Sequence, residues 1–118
     1  MILKEECIFC KIVNKNIPVD IVKETDNFIV IKDINPVSQV HLLIISKRHY
    51  DSVLDAGGEG EWNGGNEIFR LLCALAEEFK VKDKGFRTVI NTGSDGGQTV
   101  NHLHVHFMAG RWFGWPPG

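Results

Sequence analysis

The chain has 118 residues, enough for one domain built around a single hydrophobic core. An apolar fraction of 43% and a charged fraction of 24% are those of an ordinary globular protein, and a formal net charge of -2 supplies no general basic field for wrapping nucleic acid. Apolar runs such as Leu42–Ile45 are far too short to cross a bilayer, and Met1–Glu6 has no long apolar segment behind it, so neither a membrane partner nor a signal peptide is expected. Three cysteines, an odd number with two in a C-x-x-C pair, suit a reducing cytoplasm better than a disulfide scaffold.

Cys7–Val13 is short and apolar and reads as one helical turn or a loop, ended by the turn Asn14–Pro18. Ile21–Lys23 and Phe28–Lys32, separated by Glu24-Thr25-Asp26-Asn27, predict a β-hairpin. Asp33-Ile34-Asn35-Pro36 breaks the second strand, because proline cannot donate to the ladder. Val40–Ser46 is a third strand whose nearly unbroken apolar character marks it as central, with His41 its polar interruption. The glycine-rich stretch Asp55–Gly65 predicts a mobile surface loop, since each glycine costs a helix about 1 kcal/mol relative to alanine.

Asn66 is placed to cap a helix running to about Lys80, with Ile68, Leu71, Leu72, Leu75 and Phe79 on one apolar stripe and Cys73 packed beside it. After the turn Lys82–Gly85, Phe86–Asn91 predicts a fourth strand and Thr92–Thr99 a loop. The last strand is His102-Leu103-His104-Val105-His106-Phe107-Met108, in which apolar residues alternate with imidazoles at intervals of roughly 6.6 Å. The sum is an α+β fold, an antiparallel sheet with one main helix on it and a short N-terminal helix.

Three imidazoles on one face of a strand could bind a metal, hold phosphate oxygens or supply a nucleophile. The glycines of Gly93–Thr99 permit positive φ and close backbone approach, so that successive N–H groups can point at an anion beside the histidines. Cys7-x-x-Cys10 lacks the βαβ setting of a thioredoxin-like redox pair, which leaves zinc or plain burial.

These residues closely resemble the histidine triad family, and the resemblance runs through nearly the whole chain, 1–118, as one such domain. It is carried by His102-x-His104-x-His106, Cys7–Ile12, Asp33-Ile34-Asn35-Pro36, His41 with its strand, and Asn91 through Thr99. Gly110-Arg111 and Trp115-Pro116-Pro117-Gly118 are similar to the Hint branch, the purine nucleoside phosphoramidases. The resemblance implies that His104 attacks the α-phosphorus of an adenylylated amine or aminoacyl adenylate, forming a nucleotidyl-histidine that water then cleaves. It places His106 on the phosphate oxygens, Thr99 near the leaving group, and His41 behind the triad as a support. Asn91, Gly97 and Gln98 would stabilise developing charge, Asp33 would accept from the ribose, and Phe9, Ile12 and Ile34 would flank the purine. Cys7, Cys10, His49 and His102 would hold a structural zinc, and no organic cofactor is expected. The resemblance further implies a homodimer whose tail reaches the partner's site. Hydrolysis of dinucleoside polyphosphates is the alternative, disfavoured because that branch carries glutamine where His106 stands; a non-catalytic nucleotide-binding module is a third reading.

Overall fold

The computed structural model describes residues 6–118, so most of the leading stretch read as lacking a signal segment lies outside the described residues. The elements, in order, are α1 (Ile8–Val13), β1 (Ile21–Glu24), β2 (Phe28–Lys32), β3 (Val40–Ser46), α2 (Val53–Gly57), α3 (Gly64–Glu78), β4 (Arg87–Val89) and β5 (His104–Ala109). The five strands form one antiparallel sheet in the order β1-β2-β3-β5-β4, with β3 at its centre as its sequence anticipates. No helix of the described residues is long and apolar enough to cross a membrane.

Helix α3 covers one face of the sheet and α1 part of the other, which explains why β2 and β3 are apolar at consecutive positions. On one face Phe28, Val30, Leu42, Ile44, Val105 and Phe107 pack under Leu71 and Leu75 of α3, with Ile68, Leu72 and Phe79 completing the predicted stripe. On the other, Ile29, Ile31, Leu43 and Ile45 pack against Phe9 and Ile12 of α1. The hairpin is tied to α3 by Glu67, whose carboxylate accepts from the Asn27 N–H at 3.0 Å, from the Asn27 side-chain amide at 2.7 Å and from the Thr25 hydroxyl. Burial would raise the pKa of Glu67, but these hydrogen bonds outweigh it and hold the carboxyl below its ordinary value.

The glycine-rich segment departs from the loop expected of it. A five-residue helix, α2, runs into it from Val53, because Ser52 and Asp55 form a reciprocal capping box that offsets the weak propensity of its glycine. The rest of the segment is not a free loop either: Trp62 packs on Phe28 and Tyr50, and Gly64 is buried beneath its ring, where a Cβ would fall 2.0 Å from Trp62 Cζ2. Helix α3 therefore starts at Gly64 rather than after Asn66, whose amide donates to Asn63 Oδ1 at 3.1 Å instead of capping. It ends at Glu78, two residues short of Lys80, because Lys80 turns to a φ of 58° and the Val81 N–H closes onto the Ala76 carbonyl at 2.9 Å. Cys73, expected to pack, is exposed. β4 is shorter than expected, three residues against the sheet edge.

Leu75 is wholly buried between α3 and the sheet. Leu75→Ala is expected to lower unfolding free energy by about 2–5 kcal/mol through lost burial and a residual cavity, read as a shift of the urea midpoint with little change in slope.

Candidate active site and metal cluster

The histidine strand begins later than its alternation suggests. β5 starts at His104, while His102 lies in the preceding bend, fully buried. Two main-chain bonds pin that bend beside the end of β3: Leu103 N–H donates to the Tyr50 carbonyl at 2.7 Å, and Ser46 N–H donates to the Leu103 carbonyl at 3.2 Å. The carbonyl of His102 then lies 2.7 Å from His104 Nδ1, which must donate to it. A neutral imidazole carries one N–H, so this bond leaves the lone pair on His104 Nε2. Phe9 holds the ring from the side, edge-on at 4.9 Å between centroids.

His106 is fixed by a different relay. Val37 N–H donates to His41 Nδ1 at 3.1 Å, so the proton of neutral His41 sits on Nε2. That Nε2–H faces His106 Nδ1 at 3.0 Å and Asp33 Oδ2 at 3.3 Å. His106 Nδ1 therefore accepts, and its own N–H is on Nε2. Burial, followed by the neighbouring His104 and His41, lowers the His106 pKa, with Asp33 opposing, so the ring favours this neutral form.

His104 and His106 form part of the wall of a cavity of about 630 Å³, a size suited to a nucleotide-sized molecule. Phe9, Ile12, Asp33, Ile34, His41 and Thr99 line it too, so these expected residues are brought together. Ile8, Ile17, Val19, Leu43 and Val100 extend its apolar side and were missed, since they read as turn, strand and loop hydrophobics with no chemical signal. Ile34 is 87% exposed and forms the open lip, whereas Phe9 and Ile12 are buried.

Asn91, Gly97 and Gln98 are not among the lining residues. Two N–H groups of the glycine loop are bonded within it: Gly97 donates to the Ser94 carbonyl at 3.1 Å and Gln98 to the Gly93 carbonyl at 3.0 Å. The Gln98 side chain does the same, accepting from Gly93 N–H and donating to the carbonyls of Asp51 and Val100. The loop, braced by these bonds, delivers Thr99 and Val100 to the cavity.

The four residues expected to hold zinc do converge. The ligand atoms of Cys7, Cys10, His49 and His102 all lie within 4.8 Å of one another. His102 Nε2–H donates to the Ser46 carbonyl and His49 Nε2–H to Asp51 Oδ1, each at 2.7 Å. Both lone pairs are thus on Nδ1, and these nitrogens face each other at 3.1 Å with the Cys7 and Cys10 sulfurs 3.2 Å from His102 and His49 respectively. Burial depresses the His102 pKa to about 4, against the opposing Ser46 hydrogen bond, which keeps it in its ligating form. Two thiols and two converging imidazole lone pairs with partners behind them fit a closed tetrahedral ion such as zinc. Asp33, His41 and His106 also cluster, but Val37 occupies His41 Nδ1 and puts a proton on the nitrogen facing the other two. That trio is arranged as a hydrogen-bond relay.

The family model described as "Scavenger mRNA decapping enzyme C-term binding" matches residues 6–112. A HIT-like protein of Synechococcus elongatus is 41% identical over 116 residues, spanning 98% of this chain and 100% of its own. Among solved structures, a histidine triad protein from Clostridium difficile superposes with a TM-score of 0.90 at 40% identity, covering 96% of this chain and 97% of that one. A HIT family hydrolase from Legionella pneumophila gives 0.87 at 38% identity, covering 96% and 100%. With the converging imidazoles of His41, His104 and His106 at one cavity and this agreement along nearly all its length, the chain belongs to the histidine triad family.

Proposed function

We propose that the protein hydrolyses the P–N bond of purine nucleoside 5′-phosphoramidates such as adenylylated amines, and the acyl P–O bond of aminoacyl adenylates, through a covalent nucleotidyl-histidine. The observation that carries this reading is the 2.7 Å bond from His104 Nδ1 to the His102 carbonyl, which leaves a neutral nucleophilic nitrogen in the cavity wall. The description of the Legionella relative as a hydrolase accords with it.

In this mechanism His104 Nε2 forms a bond to the α-phosphorus as the P–N bond breaks, and the departing amine takes up a proton from solvent at the open mouth. Positive charge growing on His104 is stabilised through Nδ1–H by the His102 carbonyl. His106 Nε2–H donates to a phosphoryl oxygen, and His41 with Asp33 holds that donor in place; such preorganised donors are worth several kcal/mol in related chemistry. Water then cleaves the Nε2–P bond, delivering hydroxyl to phosphorus and a proton to solvent, and nucleoside monophosphate leaves. Phe9, Ile12 and Ile34 flank the purine, Asp33 lies by the ribose, and Thr99 by the leaving group.

Cys7, Cys10, His49 and His102 hold a structural zinc in this reading, which ties α1 to the end of β3 and the start of β5. Such a thiol-based centre is compatible with a reducing cytoplasm. The protein acts as a homodimer: Phe69 on α3 is 70% exposed, Phe86 and Ile90 beside edge strand β4 are 39% and 43% exposed, and the tail carries Trp115 at 81%. In the dimer the Trp115–Gly118 tail reaches the partner's cavity and influences leaving-group choice.

His104→Ala is expected to bind adenosine monophosphate but to hydrolyse an adenosine phosphoramidate about 10³-fold or more slowly; comparable turnover would remove the nucleophile assignment. Diadenosine polyphosphates, assayed in parallel, should be poor substrates for the unaltered protein, and preference for them would favour the alternative activity. Elemental analysis after chelator-free purification should find stoichiometric zinc, lost in Cys10→Ser together with a lower thermal midpoint. Sedimentation should give the mass of two chains, and a monomer at micromolar concentration would overturn the dimer.

A further inference from the structure

We propose that Arg111 is a positioning residue for the His41–His106 pair, acting through the main chain of Val37. The catalytic part of the proposal rests on the reading of the cavity as a hydrolytic nucleotide site; the geometric part does not.

His41 can serve His106 in only one tautomer. Its Nε2 must carry the proton that faces His106 Nδ1, and the Val37 N–H selects that form by donating to Nδ1. In the other tautomer two N–H groups would point at each other, while His106 Nδ1 would face a second lone pair. The selecting group is, however, poorly supported by its own element. Val37 sits in the irregular segment between Pro36 and β3, outside any sheet ladder, and the residue is 55% exposed. Ser38 hydroxyl donates to the Val40 carbonyl and Asp33 N–H to the His41 carbonyl; both brace the segment, but neither touches Val37.

The contact that does comes from 74 positions along the chain: Arg111 Nε donates to the Val37 carbonyl at 2.9 Å. With its N–H on His41 and its C=O on Arg111, Val37 is held through both of its flanking peptides. Arg111 is itself fixed, although exposed. Its guanidinium lies 4.1 Å over the Phe113 ring, and Nη1 donates to the Trp112 carbonyl at 3.1 Å. The turn that brings it there needs glycine: Gly110 has a φ of 102°, and a Cβ would stand 2.7 Å from Gln39 Cβ. Planar stacking combined with a directed Nε–H is specific to arginine, which lysine reproduces only in charge. A continuous chain of hydrogen bonds therefore runs from Arg111 through Val37 and His41 to His106.

Arg87 provides the control. Its Nη2 donates to the carbonyls of Phe113 and Gly114, holding the same tail without touching Val37. The test compares the unaltered protein with Arg111→Ala, Arg111→Lys and Arg87→Ala, each shown to be folded by its amide spectrum. Imidazole ¹⁵N shifts report the His41 tautomer, and steady-state kinetics use an adenosine phosphoramidate. Arg111→Ala should convert His41 from the Nε2–H form to a mixture and lower kcat about tenfold with KM within about twofold. Arg111→Lys should recover part of both, and Arg87→Ala should leave the His41 signal unchanged. An unchanged His41 signal in Arg111→Ala overturns the proposal, as does an equal effect of Arg87→Ala on that signal, which would reduce Arg111 to a tail anchor. If the unaltered protein does not turn over the phosphoramidate, the hydrolytic reading fails while the His41 signal still decides the positioning role.

Discussion

The position of one proton organises this protein. His104 can present a lone pair to its cavity only while Nδ1 keeps a hydrogen, and the His102 carbonyl two residues earlier is what keeps it there. A carbonyl at that place requires the chain to leave β-geometry just before β5, so the bend at His102 is part of the site. It is held from both sides, by the Leu103 bonds to Ser46 and Tyr50 and by the His102 ring on the Ser46 carbonyl. One residue thus contributes its side chain to the cysteine cluster and its main chain to the neighbouring imidazole.

The five histidines show how little the residue type decides and how much its partner does. His49 and His102 donate from Nε2 to oxygen acceptors and leave Nδ1 for a metal. His41 has its Nδ1 taken by a main-chain N–H and becomes a donor toward its neighbours. His104 donates from Nδ1 and keeps Nε2 open, while His106 accepts at Nδ1 and offers Nε2–H to the cavity. In each case the second nitrogen is assigned by the bond made at the first.

The sheet makes these assignments durable. Helix α3 covers one face, while α1 covers only part of the other, and the uncovered part is the cavity. Phe9 belongs to that boundary: it fills the core beside Ile29 and Ile45 and meets the His102 and His104 rings edge-on. The cysteines on either side of it place α1, so the cluster and the cavity share a wall.

Local pattern was enough to read the hairpin, the central strand and the apolar stripe of α3, because burial on a sheet or helix face imposes a short, regular period. The triad and its companion motifs likewise revealed the family and the chemistry-bearing wall of the cavity, His41, His104, His106, Asp33 and Thr99, since such residues are few and their spacing is informative. Glycine content misled at Asp55–Gly65, where the Ser52–Asp55 box and the Trp62 ring supply order that composition does not register. At Gly93–Gln98 the glycine content did not show that the N–H groups of Gly93, Gly97 and Gln98 bond within the loop. What only the tertiary structure decided is direction: which nitrogen carries a proton, which N–H is already spent, and that Arg111 returns to Val37. Some of these depend on partners tens of residues away, as at His102, His106 and Arg111, and the others on how the chain bends locally; a hydrogen bond's donor and acceptor are set by spatial neighbours that sequence spacing does not encode.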